Sequence, residues 1–268
     1  MTVASGARSL RSSEHGETFH PVVGPMAEAR GLHVGESRLA ERAAVGKGPF
    51  IVWDVGLGAA ANAIAALEVL SVAESARAIE LHSFDSTDEP LEFAATHAVE
   101  LGYLRDWRTP VEALLANGEA QAGRVRWHFH RVDFREFVRA RTAPAPDAIL
   151  YDPYSPAANP GMWTLEHFTR LRRCLDPASP CTLTSYSRST AVRVTLLLAG
   201  FFVGRGGATG KKDQTTVAAT HRELLRDPIG EEWLGRVRRS TRGGPLREGM
   251  SAGPITPEEY AAVVTGIR

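Results

Sequence analysis

A chain of 268 residues with 43 % hydrophobic content carries enough apolar surface for one large domain, or for a core domain with substantial appendages. Its 31 basic and 31 acidic residues cancel, so overall charge neither demands nor excludes nucleic acid, and any such contact has to come from an uneven surface distribution. Two cysteines, Cys174 and Cys181, are too few for a disulfide framework or a cysteine metal cluster and read as reduced thiols.

The amino terminus has no apolar signal core, and no 18-residue uncharged apolar run occurs later, so the default expectation is a cytoplasmic protein without membrane contact. Residues 1–48 mix Gly, Pro, His and charge and read as an irregular extension on the fold, with short ordered pieces at Ala27-Glu-Ala and Leu32-His-Val. His15, Glu17 and His20 lie there, but their spacing is not that of a His-Glu-x-x-His site, and no metal is expected. From Phe50 an apolar strand leads into an Ala- and Leu-rich helix through Leu70. A second strand from Ile79 to Asp85 precedes a helix from Glu89 to Leu104, and a third runs from Arg124 to Val132 with Asp133 at its end.

Ala148-Ile-Leu-Tyr supplies the next strand and leads into a proline-rich loop that starts at Asp152. Helical spacing follows from Trp163 to Leu175, then a strand from Cys181 to Tyr186 and a helix from Thr190 to Leu198. Phe201-Phe-Val and Gln214 to Ala219 form a closing pair around a Gly-rich turn. His221 to Arg247 holds seven arginines against four acidic residues, a modest basic patch or a merely solvated surface. Thr256-Pro-Glu-Glu259 has the cap, first-turn proline and third-position glutamate of a helix start, so the chain ends in an ordered helix. The repeated strand-to-helix transitions predict an α/β fold, an open sheet with helices on both faces.

Chemistry concentrates at the strand ends. Gly56 and Gly58, after Asp54 on the first strand, let the backbone approach a ligand closely, or simply make a turn. Asp85 is placed to accept the hydroxyls of a cofactor ribose and Asp133 to meet an adenine amino group, although each also suits the cap of the next helix. The incomplete Gly-x-Gly-x-x-Gly pattern weakens a nicotinamide enzyme, and no Gly-x-x-x-x-Gly-Lys-Ser/Thr loop is present. A compact S-adenosylmethionine-dependent methyltransferase fits the shortened glycine pattern and the closing strands.

Ile149-Leu-Tyr-Asp-Pro-Tyr-Ser-Pro-Ala-Ala-Asn-Pro-Gly-Met-Trp-Thr164 resembles the Phe-Leu-Asp-Gly-Phe-x-Pro-x-x-Asn-Pro-x-Met-Trp passage of the methyltransferase domains that complete 5-methylaminomethyl-2-thiouridine at the tRNA wobble position. The resemblance covers roughly residues 9 to 220, including Gly16-Glu-Thr-Phe-His20, Glu28 and the Gly207 to Gln214 turn. It implies a class I methyltransferase, a Rossmann-like, mostly parallel seven-stranded sheet with an antiparallel closing strand, over residues 49–220, flanked by an extension at 1–48 and an Arg-rich one at 221–268. It also implies S-adenosyl-L-methionine as donor and tRNA as partner.

In that comparison Asp54, Gly56, Gly58 and Asn62 bind or shape the methionine end of the donor, with Asp85 at the ribose and Asp133 at the adenine. Asp152 stands beside the incoming amine as the catalytic residue, Tyr154 walls the pocket or stacks on a base, and Lys211 and Lys212 meet phosphates. Ala60 replaces the family's third glycine, Pro153 a glycine and Asp213 a basic residue. The remaining length has no room for a flavin-oxidase domain, so a separate enzyme is expected to form the precursor amine. A small-amine methyltransferase and a non-catalytic RNA-binding or interaction protein are the competing readings.

Overall fold

A computed structural model describes residues 1–13, 16–19, 23–140, 143–208 and 214–267. Ahead of the sheet, α1 (Pro25–Glu28) runs into a π-helical segment, Ala29–Gly35, and then α2 (Leu39–Ala44). The amino-terminal segment is therefore more ordered than its composition suggests, because Leu32, Leu39 and Ala43 are buried. β1 (Phe50–Val55) is buried at every position and feeds α3 (Ala61–Leu70). β2 (Ile79–Asp85) is followed by α4 (Glu89–Thr96) and α5 (Ala98–Leu101), since the predicted single helix breaks at His97.

α6 (Arg108–Asn117) ends on Gly118 in a left-handed turn, from which β3 (Glu119–Ala122) hairpins into β4 (Val125–Arg131). α7 (Phe134–Ala140), β5 (Ala148–Tyr151), α8 (Leu165–Cys174), β6 (Thr182–Ser185) and α9 (Thr190–Leu198) continue the alternation. β7 (Phe202–Gly206) and β8 (Thr215–Ala219) close the sheet, and α10 (Glu231–Arg239) and α11 (Pro257–Ile267) end the chain. The capping box is formed: the Glu259 N–H donates to Thr256 Oγ1 at 3.2 Å and the Thr256 N–H to Glu259 Oε2 at 3.1 Å.

The strands stand in the order β3-β4-β2-β1-β5-β6-β8-β7, with β4, β2, β1, β5 and β6 parallel and β8 antiparallel between β6 and β7. Seven strands are those expected. The eighth, β3, adds an antiparallel edge that its polar sequence, Glu-Ala-Gln-Ala, did not announce.

β1 shows why both faces are covered. Phe50 and Val52 pack with Leu39, Ile64 and Leu67 on one side, while Ile51, Trp53 and Val55 pack with Phe137, Phe168 and Val192 on the other. Trp233, Val237, Val263 and Ile267 join this second core, so the carboxyl-terminal extension shares the domain's interior. Among the described residues no helix is long and apolar enough to cross a membrane.

Candidate functional site

The loops leaving β1, β2, β4 and β5 meet around a cavity of about 750 Å³. It lies where open parallel sheets place ligands, outside the carboxyl ends of the strands where the strand order reverses. Gly56, Gly58, Asn62, Asp85, Asp133, Asp152 and Tyr154 all contribute to its wall. Strand pairing thus gathers into one site residues that are up to about a hundred positions apart in sequence.

Gly56 has φ +90°, and a Cβ there would lie 2.6 Å from the carbonyl oxygen of Asp152. Only a glycine lets the turn after β1 press against the end of β5. The Gly56 and Leu57 N–H groups donate to the Phe84 carbonyl at 3.0 and 3.1 Å, and the Gly58 N–H donates to Asp85 Oδ2 at 2.9 Å. Asp85 therefore holds the glycine turn in shape while lining the cavity. Ala60, where a third glycine was expected, is itself left-handed at φ 63°, so the turn keeps its course into α3.

Asp54 sits lower. It is fully buried and absent from the cavity wall, with Oδ2 accepting from the Ser83 hydroxyl at 2.8 Å, and Ser83 Oγ accepts in turn from the Trp127 indole at 2.9 Å. These contacts fit the second of the two roles expected for it, shaping the site from below. Asp133 accepts from the Arg135 backbone N–H at 2.8 Å and from its guanidinium, which holds the carboxyl below the ordinary range. The helix-cap alternative is thus realised at the start of α7, and Arg135 joins the cavity wall beside it.

The other side of the cavity is built around Asp152. Its Oδ2 accepts from Asn62 Nδ2 at 2.8 Å and lies 3.9 Å from Nε2 of His33, a fully buried ring whose Nδ1 is 2.8 Å from Thr184 Oγ1. Asn62, expected at the donor, thereby joins the two halves of the site. His33 belongs to the π-helical segment, a distortion that often marks functional positions.

The loop after Asp152 is firmly anchored. The Trp163 indole donates to the Tyr154 carbonyl at 2.8 Å, and the Tyr186 hydroxyl donates to the Pro153 carbonyl at 3.1 Å. Glu17 accepts from the Ser155 N–H at 3.1 Å and from its hydroxyl, while Phe19 meets Tyr154 with ring centroids 5.8 Å apart. Burial, followed by the charges of Asp152, Glu17 and Glu28, pushes the Tyr186 phenol far above its ordinary pKa, so it stays protonated. Among the described wall residues Glu17, Glu28, Asp85, Glu89, Asp133 and Asp152 face one cation, Arg135.

Sequence reasoning placed the strand-end acids but not His33, Arg135 or Tyr186. The only local signal for His33 was its place in a short apolar triplet. Lys211, Lys212, His15 and His20 lie outside the described residues.

Residues 97–221 match a family model described as S-adenosyl-L-methionine-dependent methyltransferase. The chain is 28 % identical to the tRNA 5-methylaminomethyl-2-thiouridine biosynthesis bifunctional protein MnmC of Methylibium petroleiphilum over 81 % of its own length and 34 % of the relative. It is 30 % identical to the Caulobacter vibrioides protein of the same name, over 75 % of this chain and 35 % of that one. The chain thus spans about a third of the curated relatives it matches. The crystal structure of MNMC2 from Aquifex aeolicus superposes with a TM-score of 0.72 at 23 % identity, covering 100 % of this chain and 82 % of the other, a likeness of fold. Over residues 97–221 the chain is similar to S-adenosyl-L-methionine-dependent methyltransferases, and over most of its length it is similar to one part of the MnmC proteins.

Proposed function

We propose that the chain methylates the aminomethyl nitrogen of a modified wobble uridine in tRNA, leaving S-adenosylhomocysteine. The observation that carries this reading is Asp152, fixed by Asn62 at 2.8 Å and packed through its backbone against the Gly56 turn. One carboxylate therefore borders both the glycine turn and the acidic outer chamber. The relatives are named for this step of tRNA modification.

The cavity suits the donor: about 750 Å³ accommodates a nucleoside with its amino-acid tail, and Asp85 and Asp133 lie where ribose and base would be held. When bound, S-adenosyl-L-methionine supplies a methyl group on a sulfonium centre. Gly56 and Gly58 allow close backbone approach, and Asp54 supports the turn from below. Asp152 accepts from the N–H groups of the amine and turns its lone pair toward the methyl carbon. An acceptor arriving as an ammonium would first release one proton to solvent to expose its lone pair; the N–C bond would then form as the S–C bond breaks, with the positive charge passing from sulfur to nitrogen, so an orienting carboxylate does not have to be a strong base. Glu17 and Glu28 favour an acceptor that arrives as a cation, and Tyr154 with Phe19 offers an aromatic wall for the base. An earlier reaction supplies the aminomethyl group.

The acidic chamber also favours a second reading, methylation of a small cationic amine, because Glu17 and Glu28 repel phosphate. Labelled S-adenosyl-L-methionine, tRNA lacking the last methyl group and a panel of small amines separate the two after nucleoside digestion and mass spectrometry. Label in the methylaminomethyl nucleoside is the expected result; label in a free amine alone would replace the proposal. Asp152→Asn should lower transfer by about 100-fold or more while leaving donor affinity within a few-fold, and undiminished transfer would remove Asp152 from the mechanism.

A further inference from the structure

A second group of polar side chains gathers at the opposite end of β2, away from the cavity. Glu80 and His82 point to the same face of β2, two residues apart. The parallel β2–β4 register sets His128 directly beside His82, and the antiparallel β3–β4 register sets Glu119 beside His128. One ligand atom from each of Glu80, His82 and His128 lies within 4.8 Å of the others. None of the three lines the cavity, and nothing in the methyl-transfer reading uses them.

We propose that Glu80, His82 and His128 form a Zn²⁺ site that ties β2 to β4 at the edge of the sheet. Two imidazoles and a carboxylate are a ligand set that zinc accepts, with about 2.0–2.2 Å to each ligand and therefore roughly 3.3 Å between ligands in a tetrahedron. His82 Nε2 and Glu80 Oε2 already stand 3.3 Å apart. The Glu80 and His128 side chains are each 22 % exposed, so rotation about their side-chain bonds can bring the third ligand inward. Glu119, 67 % exposed with Oε2 at 3.9 Å from His128 Nδ1, can supply a fourth ligand, or water can fill that position. Arg126, 3.9 Å from the other Glu80 oxygen and 62 % exposed, is free to swing aside.

His82 carries the orienting contact that zinc-bound histidines generally have. Its Nδ1 is 2.9 Å from His130 Nε2, and His130 is stacked on Phe84 with centroids 4.8 Å apart. With the His82 proton on Nδ1 and donated to His130, the Nε2 lone pair faces Glu80 and the metal. The linear sequence hides the site because the two imidazoles are 46 positions apart and meet only through strand register.

The test is a competition titration of the chelator-stripped, desalted full chain with Zn²⁺ and a chromogenic chelator. One Zn²⁺ per chain with a dissociation constant of about 1 μM or tighter is expected. His128→Ala and Glu80→Gln, both partly exposed, should each weaken it by at least about tenfold without changing S-adenosyl-L-methionine binding, and His130→Phe by about tenfold through loss of the orienting contact. Absence of saturable binding, or binding unchanged in both His128→Ala and Glu80→Gln, would overturn the site. His82 is buried, so its replacement is not needed for the decision.

Discussion

The two halves of the cavity are assembled by different means. The half that includes Gly56, Gly58 and Asp85 is made by strand ends and the turns next to them, and its hydrogen bond from Gly58 to Asp85 spans 27 residues. The half around Asp152 is tied by Asn62 across 90 residues, by Glu17 to Ser155 across 138 and by His33 to Thr184 across 151. In the proposed reading the first half binds the donor, and a donor site built on short connections can serve many acceptors. The half around Asp152, proposed to face the acceptor, depends on the amino-terminal segment docking over the sheet, and that segment supplies Glu17, Phe19, Glu28 and His33.

The largest expected effect comes from breaking the point where the halves touch. Gly56→Ala would place a methyl carbon 2.6 Å from the Asp152 carbonyl oxygen at a residue with φ +90°. Left-handed strain of about 1–2 kcal/mol and overpacking of about 1–3 kcal/mol act together there, because neither partner is the free end of a flexible side chain. A loss of about 3 kcal/mol or more in chemical denaturation is expected, with donor binding and transfer lost together. A variant as stable as the parent would show that the two turns are not in contact.

The same contrast explains what the sequence made legible. Short apolar runs, alternation in β4 and terminal acids revealed β1, β2, β4 and β5 together with Asp85, Asp133 and Asp152, because those signals are local. The helix expected near Thr190 to Leu198 is present there, since its apolar positions repeat at helical spacing within one segment. β3 was missed: four alternating polar and alanine residues become a strand only because β4 offers its free edge. Arg135 was hidden for another reason. Its importance comes from folding back on Asp133 two residues earlier, a contact that competes with the ligand role which the position of Asp133 suggests. The order of residues 23–44 was underestimated because its cause is burial against α3 and β6, which composition does not report.

A smaller effect sharpens the comparison from behind the acceptor loop. His167 on α8 is buried beside Phe134 and Tyr151, with centroids 5.9 and 6.2 Å away, and burial lowers its pKa to about 3. The folded state holds the ring neutral, whereas in the unfolded chain it protonates near its ordinary value of 6.5. This depressed group costs no stability above pH 6.5, and stability is progressively lost as pH falls from 6.5 toward 3. At about 1.4 kcal/mol per pH unit, the penalty at pH 5 is about 2 kcal/mol. His167→Phe should flatten that acid limb in denaturant midpoints measured from pH 7 to 5. An unchanged slope would assign the acid sensitivity to other groups.

Ala60→Gly tests the local half alone and should have the smallest effect. Ala60 has φ 63° and is completely buried against the core containing Ile64 and Leu67. Glycine would relieve about 1–2 kcal/mol of left-handed strain. It would also remove a buried methyl group worth about 0.8 kcal/mol and add about 0.4–1 kcal/mol of unfolded-state entropy, so the terms nearly cancel. Stability within about 1 kcal/mol of the parent and donor affinity within about threefold are expected from denaturation and calorimetric titration. A large gain in donor affinity would mean that the alanine distorts the turn. Near-neutrality would show that the backbone path, rather than the glycine itself, is what the donor half requires, while Gly56 requires both because a second chain segment crosses it.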